Sequence, residues 1–132
     1  MYKVLIADDE ITVRNGLRDC VNWAGLDCEV VAEAANGQQA LSLIDEVKPD
    51  LVVTDVRMPK LNGIQLAESL AAQYPEIKIV FISGYDDTVF LKSAFNVGAV
   101  NYILKPIDLT EFENTVSRVT QSLCQVQQKN AM

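Results

Sequence analysis

The sequence contains no histidine, so the usual general base is missing and Ser-His-Asp and Cys-His catalysis are excluded. Its three cysteines, Cys20, Cys28 and Cys124, are odd in number and show no CxxC spacing. Without histidine they cannot form a standard structural zinc site, and reduced, mostly buried thiols are expected. Basic residues are scarce: eleven stand against eighteen acidic ones, for a net charge of −7. Such a surface repels a phosphate backbone, so this segment is not expected to contact nucleic acid itself. Long apolar runs are absent too. The first one, Val4 to Ala7, runs straight into Asp8, Asp9 and Glu10, which is neither a secretory leader nor a membrane span. A soluble, cytoplasmic chain without membrane contact is the expectation. Neither GxxxxGK[ST] nor GxGxxG occurs, which argues against nucleotide hydrolysis. At 132 residues and 49% hydrophobic content, what remains fits one folding unit.

Five short runs rich in Val, Ile and Leu read as strands: Lys3 to Ala7, Glu29 to Ala34, Leu51 to Thr54, Lys78 to Ser83 and Val100 to Leu104. Most are nearly continuous in apolar character, as parallel strands covered on both faces are. Between them lie helical stripes: Val13, Leu17, Cys20 and Val21; Ala40, Ile44 and Val47; Gly63, Ala67, Leu70 and Tyr74; Phe90, Ala94 and Val97. A last stripe runs through Leu109, Phe112, Val116, Val119, Leu123 and Val126 and is long enough to leave the domain as a linker helix. Asn36 with Gln39, and Asp108 with Glu111, have capping-box spacing. Gly16 alone interrupts a helical pattern, at a cost of about 1 kcal/mol relative to alanine, and close packing is the expected reason. The alternation gives an α/β fold: (βα)5, a doubly wound five-stranded parallel sheet of strand order 2-1-3-4-5. Residues 1–124 are assigned to this domain and 125–132 to the start of a linker or tail.

In such a sheet, ligands bind beyond the carboxyl ends of the strands. The first strand is followed by Asp8, Asp9 and Glu10, the third ends in Asp55, the fourth in Ser83 and Gly84, and the fifth in Lys105 and Pro106. Two carboxylates 4 Å apart repel by about 1 kcal/mol in water and about 4 kcal/mol at an effective dielectric of 20. Three aspartates therefore call for a counter-charge. The donors are all oxygen, which suits a hard cation such as Mg2+. Lys105 adds a compact positive charge that can meet an oxyanion. A phosphoryl group would dock there, with Lys105, the Ser83 hydroxyl and the N–H groups around Gly84 on its oxygens, and with Asp55 as nucleophile. Trp23 and the phenylalanines are assigned to packing.

The set "VLIADDE", "PDLVVTDVRMPKLNG", "VFISGYDD" and "NYILKP" resembles the receiver domain of bacterial two-component response regulators, over residues 2 to 124. The resemblance implies a flavodoxin-like fold and a phosphorylation switch that takes a phosphoryl group from a sensor histidine kinase or a small phosphodonor. It makes Asp55 the phosphoacceptor, Asp9 a direct Mg2+ ligand and Asp8 a ligand acting through water. The backbone carbonyl of Arg57 completes the protein's share of the metal shell. Ser83 becomes the hydroxyl switch, Tyr102 the aromatic switch, Lys105 the family's lysine, and Lys105-Pro106 a cis peptide. The domain is a self-phosphorylating and self-dephosphorylating acceptor rather than a turnover enzyme. The stretch "VNWAGLDCEVVAEAANGQQAL" with "ISGYDD" is most similar to receivers that precede AraC-type DNA-binding output domains, so control of a transcriptional output domain absent from this chain is implied. A homodimer through the fourth helix, fifth strand and fifth helix is a further expectation. There, Asn101 replaces the acidic residue that pairs across many such dimers, while Lys92, Glu111 and Arg118 remain. Arg14 and Arg18, one turn apart on the first helix, are the expected exposed determinants of kinase choice.

Two other functions suit the same topology less well. A flavodoxin-like electron carrier wants a Ser/Thr/Gly-rich loop after the first strand, where this chain has Asp-Asp-Glu. A haloacid dehalogenase-like phosphatase needs Asp-x-Asp, and residues 55 to 57 read Asp-Val-Arg.

Overall fold

The computed structural model describes residues 1–84 and 101–131, with side chains as far as residue 124. Strands β1 (Tyr2–Ala7), β2 (Cys28–Ala34), β3 (Leu51–Asp55), β4 (Lys78–Ser83) and β5 (Asn101–Leu104) form a single parallel sheet in the order β2-β1-β3-β4-β5. The connecting helices are α1 (Ile11–Cys20), α2 (Gly37–Val47) and α3 (Gly63–Gln73), and the C-terminal helix is α4 (Leu109–Ala131). The stripe Phe90, Ala94, Val97 and the dimer candidate Lys92 lie outside the described residues.

Alternation along the strands sorts the core into two layers. Val4, Ile6, Val53, Val80, Ile82 and Ile103 face Leu17 of α1 and Phe112, Val116, Val119 and Leu123 of α4. Leu5, Ala7 and Val52 face Ala40 and Ile44 of α2 and Leu66 and Leu70 of α3. Every residue of β3 is buried, whereas β2 and β5 are only partly so, because an edge strand has a neighbour on one side only. Trp23 packs as expected, edge-on to Phe112 at 5.7 Å, and its indole N–H donates to the Leu17 carbonyl at 2.9 Å.

Some local expectations are corrected. Cys28 is buried, but Cys20 and Cys124 are exposed, since each falls on the solvent side of its helix. Gly16 is not a packing contact: a Cβ built there meets nothing within 4 Å. Leu109, first in the C-terminal stripe, is exposed. Of the boxes read from spacing, Asn36 accepts from the Gln39 N–H at 2.8 Å, but the Gln39 side chain reaches past Asn36 to the Ala35 N–H at 2.7 Å. Asp108 accepts from the Glu111 N–H at 3.0 Å. A complete capping box starts α3 instead, between Asn62 and Gln65.

Candidate functional site

A parallel sheet points all its carboxyl ends to one edge, and the polar residues that follow the strands gather there. Asp8, Asp9, Glu10 and Asp55 bring one carboxylate oxygen each within 4.8 Å of one another. Asp8 and Asp55 are buried, while Asp9 and Glu10 are exposed. Lys105 reaches across from the end of β5, its Nζ 3.1 Å from Asp55 Oδ2, 3.6 Å from Asp8 Oδ2 and 3.5 Å from Glu10 Oε1. Ser83 closes β4, fully buried, and its carbonyl accepts from the Lys105 N–H at 2.8 Å. The Lys105-Pro106 peptide is cis.

The acids are held by local backbone as well as by Lys105. Asp8 Oδ1 accepts from the Glu10 N–H at 2.9 Å, and Asp55 Oδ1 from the Arg57 N–H at 3.3 Å. Both turns tie a carboxylate to the amide two residues on. Behind Asp55 the wall is tight. A Cβ at Gly63 would come within 2.1 Å of the Asp55 carbonyl oxygen, so only glycine lets α3 start this close to the strand end. Gly37 stands likewise against the Leu61 carbonyl, to which its N–H donates at 3.0 Å. The loop between β3 and α3 is therefore clamped by two helix starts.

Charge and burial set the titration of the site. Burial pushes the Asp8 carboxyl up to about 6, opposed by the Glu10 amide and by Lys105 and reinforced by Asp55 and Asp9. Burial also raises Asp55 above the ordinary carboxylate range, against the pull of Lys105. For Lys105 burial acts downward, but Asp55, Asp8 and Glu10 outweigh it and hold the ammonium above its usual value. Two buried side-chain atoms, Asp8 Oδ2 and Ser83 Oγ, have no hydrogen-bond partner among the described residues. A buried polar atom without a partner is costly. An all-oxygen donor set around a buried carboxylate oxygen that accepts no hydrogen bond, and has only Lys105 at 3.6 Å, fits a hard divalent cation such as Mg2+.

Of the residues singled out from sequence, Asp8, Asp9, Asp55, Ser83 and Lys105 come together at this edge. Arg57 stays beside them through its amide, and its side chain is exposed. Tyr102 lies on β5, paired in register with Phe81 and 41% exposed. Glu10 had not been counted as a candidate ligand. The unbroken run Asp8-Asp9-Glu10 at a strand end was the available signal. Arg14, expected to be exposed, is turned inward with a side chain 15% exposed, whereas Arg18 remains at the surface, paired with Asp19 and Glu33.

Comparison with known proteins gives the same reading. Residues 4–117 match the family described as the response regulator receiver domain. The chain is 35% identical over 130 residues to the transcriptional regulatory protein HptR of Staphylococcus aureus, covering 98% of this chain and 51% of that protein. It is 37% identical over 123 residues to a response regulatory protein of Staphylococcus epidermidis, covering 93% of this chain and 48% of that one. The chain thus spans about half the length of these curated relatives. Among solved structures, the REC domain of AraT, a response regulator from Geobacillus stearothermophilus, superposes with a TM-score of 0.91 at 35% identity, covering 96% of this chain and 98% of that one. A two-component transcriptional regulator AraC from Clostridium phytofermentans gives 0.89 at 35% identity with the same coverage. With its five-stranded sheet, its acid cluster and these relatives, the chain belongs to the response regulator receiver domains, the signalling domains of two-component systems.

Proposed function

We propose that Asp55 is the phosphoacceptor of this domain and that Asp8, Asp9, Asp55 and the Arg57 carbonyl hold Mg2+ beside it. One observation carries the reading: a buried carboxylate at the tip of the central strand stands 3.1 Å from a lysine and among three further acids. Receiver domains bind Mg2+ at an acidic pocket and interact with histidine kinases and with their own output domains. When bound, Mg2+ supplies charge neutralisation on the oxygens of the transferring group. The chain's own groups do the rest. An Asp55 carboxylate oxygen attacks phosphorus, an acyl phosphate forms, and the bond to the kinase histidine nitrogen, or to the acetate oxygen of acetyl phosphate, breaks with its electron pair on the leaving atom. Lys105 and the unpaired Ser83 hydroxyl take phosphoryl oxygens. Attack of water on phosphorus later breaks the Asp55 O–P bond, leaves the electron pair on the carboxylate and releases inorganic phosphate, so the domain loads and unloads itself without a turnover site.

Ser83 and Tyr102 act as the switch, relaying the loaded state to the face of β5 and α4. Residues 1–124 make up the receiver and 125–132 begin the linker to a transcriptional output domain, which supplies DNA contact that this acidic segment does not. Among the described residues no helix is long and apolar enough to cross a membrane, in keeping with a cytoplasmic site of action. A homodimer through β5, α4 and the segment read from sequence as the fourth helix, which lies outside the described residues, would turn phosphorylation into paired output domains. Tyr102, Leu104 and Leu109 expose apolar surface there.

The test is intact mass after incubation with acetyl phosphate and Mg2+. The wild-type chain should gain one phosphoryl group and Asp55→Asn none. Undiminished labelling of that variant would sink the assignment.

A further inference from the structure

The first helix was expected to present two arginines to a partner, yet Arg14 faces the acid cluster from behind. At the end of β1 the ladder with β2 runs out: Ala7 pairs with Ala34 in register, and the Asp8 N–H donates to the Ala34 carbonyl at 3.0 Å. The ladder goes no further, and the Asp8 carbonyl accepts from a side chain, Arg14 Nη1. Arg14 Nε stands 3.7 Å from Glu33 Oε1, and Glu33 Oε2 in turn accepts from Arg18 Nη1 at 3.1 Å. Glu33 is fixed on β2, opposite Ile6. The Arg14 N–H also donates to the Glu10 carbonyl at 3.2 Å. One residue thus holds the turn Asp8-Asp9-Glu10 at both ends, by its backbone and by its side chain, while the Asp8 carboxylate closes the turn from within.

We propose that Arg14, braced by Glu33, is a positioning residue for the cation site, fixing the main chain of Asp8 so that the Asp8 and Asp9 carboxylates converge. The inference rests on the reading of this cluster as a Mg2+ site. It uses the planar fork of a guanidinium, which meets a carbonyl and a carboxylate in two fixed directions as an ammonium cannot.

The sign of the effect separates this role from its rivals. Removing a positive charge near a cation site by electrostatics alone tightens Mg2+ binding. A merely structural role lowers the melting temperature and leaves affinity unchanged. A positioning role weakens binding, by about tenfold or more if Arg14 behaves as groups that orient metal ligands do. Titration of the full chain with MgCl2 by calorimetry at pH 7 is therefore paired with thermal unfolding for wild type, Arg14→Met, Arg14→Lys and Glu33→Gln. Expected are a Kd raised about tenfold in Arg14→Met, partial recovery in Arg14→Lys, a smaller rise in Glu33→Gln, and faster hydrogen exchange of the Glu10 amide in metal-free Arg14→Met. An unchanged or lowered Kd in Arg14→Met overturns the positioning role and leaves the Mg2+ site standing. No binding by the wild type overturns the Mg2+ reading, and this inference with it. Should Arg14→Met fail to fold, Arg14→Lys decides, since it keeps the charge and removes only the fork: an unchanged or lowered Kd there overturns the proposal.

Discussion

Burial is what separates Asp8 from Asp9, its neighbour in sequence: Asp8 is 1% exposed, and Asp9 stands at the surface. With its carboxyl raised to about 6, folded Asp8 holds a proton that an unfolded aspartate has released. Its contribution to stability is present below the unfolded value near 4 and is lost as pH rises through about 6. Mg2+ must find Asp8 ionised. The rise in melting temperature produced by Mg2+ is thus expected to be full at pH 7.5 and to shrink as pH falls through about 6, read by thermal unfolding with and without the ion. An increment that is flat from pH 5 to 8 would separate Asp8 from the site. Lys105 opposes the cation for the same carboxylates, so Lys105→Ala is expected to lower the Mg2+ Kd severalfold while making the metal-free domain less stable at pH 7 than at pH 5. Calorimetry and paired melts check both halves. Asp55, Asp8 and Lys105 were legible as residue types at strand ends. The inward turn of Arg14 was not, because spacing along a helix says nothing of which main-chain carbonyl at a strand end its side chain will meet.

At the scale of the elements, two glycines in helices make opposite cases. Gly63 begins α3 against the Asp55 carbonyl, and Gly16 sits within α1 with open space where a side chain would go. Gly63→Ala should drive α3 off the strand end, destabilising the domain by about 1–3 kcal/mol as overpacking does and weakening Mg2+ binding. Gly16→Ala should stabilise by up to about 1 kcal/mol, the helix-propensity difference. Urea denaturation of both variants checks this. Equal effects would show that space at the two positions does not decide. The five strands were read within a residue or two of their bounds, since β-branched runs between helical stripes are hard to misassign. Cap partners were harder. Gln39 has the spacing of a box but serves Ala35, while the complete box of Asn62 and Gln65 stands at the head of the third helical stripe, where its spacing was not read.

For the whole molecule, strand order followed from the handedness of crossovers and from where the polar residues fall, so the edge that carries the site was legible before its geometry. What sequence could not give was the depth of each acid, which depends on how α1 and the β3-α3 loop cover the sheet. The exposed Tyr102, Leu104 and Leu109 lead to an expectation for the assembled state. Beryllofluoride with Mg2+ should shift the chain from monomer toward dimer in sedimentation velocity, and Arg118→Glu should reduce that shift by only a few fold, since exposed ion pairs contribute about 0–1 kcal/mol each. A shift of the same size in Arg118→Glu would move the contact elsewhere. The reach of Lys105 to Asp55 and Glu10, across 50 and 95 residues of chain, has a consequence for the protein as it is made. A chain emerging from the ribosome presents all four acids long before the lysine that answers them, and domains are synthesised from the N-terminus onward. Until β5 is laid down, the cluster is a knot of like charge without the Lys105 ammonium, so a stalled or clipped fragment carries Asp55 without the lysine that stands 3.1 Å from it in the folded domain. Assembly of this edge is thereby a late event in the making of the domain, finished only when the end of β5 is in place.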